Sequence, residues 1–158
     1  MSIYSSDRPE FAERVARLAG QTTYRVPTEG RGTRMEQLPD AHAIAAALAF
    51  ARQGPDDIGP DIAADIATGR RGHGVRVCAA LGRSLSGDRS ALMRRMRPYL
   101  AIAAADAYGL VVDGRRYARP PEARAEDWDT LVAAGAAILE RLAWDALAEA
   151  ERRYHRAA

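Results

Sequence analysis

The sequence predicts an all-α (mainly α) fold, a compact multi-helix domain with one short β-hairpin near 110–117 and a long C-terminal helix. Three observations carry that expectation. The 158 residues are 47% hydrophobic and 28% charged, with much of the apolar share supplied by alanine, the best helix former. Apolar residues recur at i, i+3 and i+4 along most of the chain. Glycine and proline punctuate those stretches where helices should stop. A chain of this length buries roughly 70% of its unfolded surface, so residues 1–158 are read as a single helical domain needing neither disulfide nor metal.

The elements follow in order. A helix is predicted over 8–19, with Pro9 and Glu10 in its first turn, Phe11, Val15 and Leu18 on one face, and Gly20 as its stop. Residues 21–38 contain Pro27, Gly30 and Gly32 and read as a loop. The next helix is expected from Pro39 to Gln53. Its interior, AIAAALAFA, is apolar almost all round, which predicts the most buried helix of the fold. A short helix from Pro60 to Thr68 precedes the basic joint RRGHG, and another spans about 74–85. Asp88 is the expected N-cap of the helix after Gly87.

Pro98 lacks an amide donor and clashes one turn back, so that helix ends near Arg97 or kinks there. YLAIAAADAYG resumes as helix to Gly109. Asp113-Gly114 then suits a two-residue hairpin turn, with Leu110, Val111 and Val112 on one strand and Arg115, Arg116 and Tyr117 on the other. The last helix is predicted over 126–156, on the rhythm of Trp128, Leu131, Ile138 and Leu142. Gly135 marks a close contact or a bend in it.

All 23 basic residues are arginine. Without lysine, neither a Walker-type phosphate loop nor Schiff-base chemistry runs in its usual form. Cys78 stands alone, which suits a reducing compartment and, inside an apolar helix, an inert thiol. MSIYSSDRPEF lacks the apolar stretch of a secretory signal, and no run is long enough to span a bilayer. The expectation is a cytoplasmic protein without membrane contact. His42, His73 and His155 fit no metal-ligand spacing, and His73 reads as a loop residue. GRSLSG is not a nucleophile elbow. Asp57, Asp61 and Asp65 are four apart, but Gly59 and Pro60 break the helix they would share. Their plainer roles are favourable charge at a helix start or docking of arginines. No catalytic residue, metal or cofactor is expected, and the chain reads as a non-enzyme.

Charge is unevenly placed. Residues 70–97 carry a net charge of +7, while 41–69 and 120–158 each carry −3. In DRSALMRRMRPYL, Leu92, Met93, Met96 and Leu100 share one helical arc, while Ser90, Arg94 and Arg97 line the opposite side and Arg95 its edge. The order helix, turn, basic helix, hairpin over 70–119, with its exit AYGLVVDGRRYARP, resembles the winged-helix DNA-binding motif. That resemblance implies a nucleic-acid surface of Arg89, Arg94, Arg95 and Arg97, with Arg115, Arg116 and Arg119 on the wing. The bland alternatives are arginines paired with neighbouring acids and a hairpin that merely connects two helices.

Two functions remain open on the sequence alone. The first is a small non-enzymatic regulatory protein binding nucleic acid, or a nucleic-acid–protein machine, through the arginine-rich centre. The second is a helical adaptor or inhibitor, such as one carried by a mobile element, that binds a protein partner. In that reading it contacts the partner or forms a homodimer through its C-terminal helix, with Trp128 and Trp144 as anchors.

Overall fold

The computed structural model describes residues 7–22 and 41–157. They form α1 (Arg8–Thr22), α2 (Ala41–Ala49), α3 (Gly59–Thr68), α4 (Gly74–Ser86), α5 (Ala91–Met96), a 3-10 turn (Arg97–Tyr99), α6 (Leu100–Val112) and α7 (Ala125–Ala157). The loop expected over 21–38 lies, beyond Thr22, outside the described residues, as does the helix start expected at Pro39.

The long helix is the axis of the domain. α3 and α6 pack along α7, α4 packs on α6, and α1 and α2 close the side beside α3. Trp128, Leu131, Val132, Ala136, Leu139, Ala143, Leu147 and Ala150 of α7 are buried in one continuous core. Each large side chain there contributes about 1.5–3 kcal/mol by leaving water. The stripe that a partner would need is therefore already covered. Trp128 is inside the core, and Trp144 is half-buried, edge-on to Phe11 at 4.9 Å and beneath Arg14. Gly135 marks a close approach rather than a bend: a Cβ there would stand 3.0 Å from that of Ala107 on α6.

The most buried helix is α3, not α2 as expected. α2 buries Ile44, Ala47 and Leu48, whereas every residue from Gly59 to Ile66 is buried. α3 is enclosed by α1, α2, α6 and α7, and the small face around Gly59 lets it approach the α7 backbone at Leu142. α2 also stops short of Gln53, because the amides of Ala51 and Arg52 reach back three residues to Leu48 and Ala49 in a tightening turn. Asp57 seals that turn by accepting from the amides of Gln53 and Gly59.

Two further boundaries shift. Ser90, not Asp88, caps α5: its hydroxyl accepts from the Met93 amide, while Asp88 accepts from the Ser90 amide and so supports the cap. Pro98 acts as expected, ending α5 at Met96 and forcing the 3-10 turn before α6.

The hairpin is not formed. No strand occurs among the described residues, and Leu110–Val112 complete α6. Ala103, Ala104, Ala107, Tyr108, Val111 and Val112 are all buried, so GLVV continues a helical burial pattern instead of starting an alternating one. Asp113-Gly114 is a helix stop. The amides of both residues return to the Gly109 carbonyl, and Gly114 adopts a left-handed φ of 76°. The Arg8 guanidinium donates to the Val111 and Val112 carbonyls, satisfying acceptors that the helix end leaves open.

Gly109 is where this arrangement tolerates least. A Cβ there would fall 2.2 Å from the Arg115 carbonyl oxygen and 2.7 Å from an Arg71 guanidinium nitrogen. Gly109→Ala should lower the unfolding free energy by about 2 kcal/mol or more despite its gain in helix propensity, read as a lower urea midpoint.

Candidate nucleic-acid interface

Six of the seven arginines singled out in the sequence divide into two groups, and Arg115 stands apart. Arg95, Arg116 and Arg119 are engaged within the domain. Arg95 forms a two-pronged pair with Asp127 at 2.9 and 3.0 Å, joining α5 to the first turn of α7. Arg116 grips the fully buried carboxylate of Asp106 through two bonds of 2.9 Å, and the Tyr117 amide donates to the same group. Arg119 donates to the Ala123 carbonyl ahead of α7. Arg116 thereby ties the segment after α6 back onto α6, so the expected wing is an irregular connector.

Arg89, Arg94 and Arg97 form the second group, joined by Arg83 in the last turn of α4. All four are exposed, and none has a side-chain hydrogen bond or ion pair among the described residues. Arg94 lies in the last turn of α5 and Arg97 opens the 3-10 turn three residues on; both are exposed, whereas Met93 and Met96 are buried. Asp88, the only acid in the 83–97 stretch, has its carboxylate on the Ser90 amide. Arg115 is also exposed, but its charge acts on Asp113.

A second polar assembly lies at the junction of α3, α4 and α6. Asp65, 2% exposed, accepts from the Tyr108 hydroxyl at 2.6 Å and from the His73 amide at 2.9 Å, and its other oxygen lies 2.8 Å from His73 Nδ1. One turn earlier, Asp61 is held by Arg52 at 2.8 Å and by Arg76 at 3.4 Å, with His73 Nε2 at 3.7 Å. His73 is thus the residue before α4 and bridges two buried carboxylates, rather than standing free in a loop. The acids take none of the α5 arginines as partners. Among the described residues, no group of three or more histidine, cysteine or acidic side chains is placed to hold a metal. The sequence does carry a signal for this assembly. In GPDIAADIATG every other position is apolar or small, so such a helix has no polar face on which to leave its acids in water.

The electrostatics follow from these contacts. Burial and the adjacent Asp65 carboxylate push the Tyr108 hydroxyl well above its ordinary range, keeping it a neutral donor. Burial likewise raises the Cys78 thiol, partly offset by Arg71, which fits an inert side chain. The Arg95 guanidinium holds Asp127 below the usual carboxylate range. Arg71 bonds Asp113 at 2.7 and 3.0 Å and lowers its pKa to about 2.

Because the folded Asp113 value lies below its ordinary one near 4, its contribution is fully present above pH ~4 and disappears as pH falls through about 2. With solvent screening of the part-exposed pair it amounts to about 1–2 kcal/mol. Asp113→Asn should therefore reduce the loss of stability between pH 5 and pH 2, measured by urea unfolding across that range. Tyr108→Phe should cost about 1–3 kcal/mol, since it removes a donor from a buried carboxylate. Its readout is the urea midpoint at pH 7. No protein-family model, no curated protein and no solved structure matches the chain in comparisons with known proteins.

Proposed function

We propose that this chain is a small non-enzymatic regulatory protein that binds nucleic acid, alone or within a nucleic-acid–protein machine, through the corner formed by α4 and α5. The observation that supports the reading is the contrast between the two groups of arginines. Arg8, Arg14, Arg52, Arg71, Arg76, Arg95 and Arg116 each hold an acid or a carbonyl, whereas Arg83, Arg89, Arg94 and Arg97 fall close together in the chain, are exposed, and have no side-chain partner among the described residues. Arginine's planar fork suits phosphate oxygens, and a set of unpaired forks on a short helix follows a phosphate backbone without requiring a wing.

The alternative, a helical adaptor or inhibitor docking through the C-terminal helix, is less favoured because the apolar stripe of α7 is already covered by its own domain. A protein partner with an acidic face would use the same corner arginines, and it remains the reading to be set against nucleic acid.

Three or four phosphate contacts predict affinity that falls roughly 40- to 150-fold between 50 and 200 mM salt, because released counterions drive binding. Arg94→Ala/Arg97→Ala should reduce binding at low salt and flatten that salt dependence, measured by fluorescence anisotropy with labelled oligonucleotides. Unchanged binding by the double variant would overturn the proposal.

A further inference from the structure

Beside the corner, the 3-10 turn forced by Pro98 opens a cleft between the end of α5 and the chain entering α7. The cleft holds about 160 Å³. That is room for roughly five waters or for one flat ring system, and far too little for a stacked base pair. Met96 and Ala123, both buried, are part of its lining. Half-buried Tyr99 lines it too, with Arg95, Arg124, Glu122 and Asp127. Arg95 and Asp127 are committed to each other, which fixes the Arg95 guanidinium plane at the cleft. Glu122 is exposed and has no side-chain partner among the described residues.

We infer that this cleft receives a single unpaired nucleobase, so that the α4–α5 corner selects single-stranded over double-stranded nucleic acid. The inference rests on the nucleic-acid reading above and deepens it. An unpaired base offers two π-faces and a polar edge. The phenol ring of Tyr99 and the guanidinium of Arg95 are partners for a face, as in other single-strand sites built from aromatic and arginine side chains. The Glu122 carboxylate is an acceptor for an exocyclic amine such as that of cytosine or adenine. Arg94 and Arg97 lie within two residues of Met96 in sequence and supply phosphate contacts for the neighbouring nucleotides. In a duplex the base is stacked and paired and cannot reach the cleft, so only the phosphate contacts remain.

The test compares a single-stranded oligonucleotide with the duplex of the same length at equal salt, using the full chain. The expected result is about 10-fold tighter binding of the single strand. A single strand carrying the fluorescent base 2-aminopurine should change its emission on binding. Tyr99→Leu, which keeps bulk but removes the π-face, should bring single-strand affinity down to the duplex level while leaving duplex binding unchanged. Its fold is checked by circular dichroism. Should Tyr99→Leu fold poorly, Glu122→Gln at an exposed position reads the same site, with weaker binding of oligo-cytidine and unchanged binding of oligo-thymidine. Equal affinity for single strand and duplex, with neither variant altering either, overturns the cleft while leaving the arginine corner standing. Wild-type affinity in Arg94→Ala/Arg97→Ala overturns the corner itself, and no binding to either form overturns both.

Discussion

Two carboxylates, Asp61 and Asp65, are buried one turn apart on the most enclosed helix of the domain, and each must find positive charge or hydrogen-bond donors there. The donors come from different places. Arg52 follows α2, His73 and Arg76 belong to the start of α4, and Tyr108 lies in the middle of α6. Satisfying the two acids therefore sets where three other elements stand relative to α3. The gain is specificity of arrangement more than raw stability, since an apolar replacement of such a network is often no less stable. Removing one partner is different, because it leaves a charge buried without compensation.

The same logic recurs wherever α6 ends. Val111 and Val112 receive Arg8 from the start of α1, Asp113 receives Arg71 from the joint before α4, and Asp106 receives Arg116 from the connector. Arginine is suited to all three roles, because its fork makes two parallel bonds to a carboxylate or spans successive carbonyls. A chain with no lysine thus uses one residue type both for internal fastening and for exposed charge. Only geometry separates the two uses. Arg95 and Arg97 are two residues apart, yet one is held by Asp127 and the other has no partner among the described residues.

The brevity of α5 is what gives the corner its shape. Ser90 starts the helix, Pro98 ends it, and six residues are left to bury Met93 and Met96 while Arg94, and Arg97 just beyond, stay exposed. The 3-10 turn places Tyr99 in the lining of the cleft together with Glu122 and Arg124. A longer, unbroken helix would have carried the apolar stripe straight into α6 and closed that space.

Fold class was legible in the sequence by itself. So were the positions of α1, α3, α4 and α7, the break at Pro98 and the apolar face of every long helix, because periodicity and proline geometry act within a few residues; Gly135 stood for a contact or a bend until packing decided it. What lay outside local reach was decided by packing. GLVVDG satisfies a hairpin rule and a helix-stop rule equally well, and α6 won because Val111 and Val112 bury themselves beside Ala107 and Tyr108 while Arg71 takes up Asp113. Alanine-rich α2 matched the pattern of a central helix, but alanines bury little wherever they lie, and the enclosed position went to α3, whose Gly59 lets it come close to the α7 backbone. The sequence by itself determined that the chain is helical and that its centre is rich in arginine. Which arginines are fastened and which face outward was decided only by the tertiary structure, because an ion pair depends on distances between residues far apart in the chain.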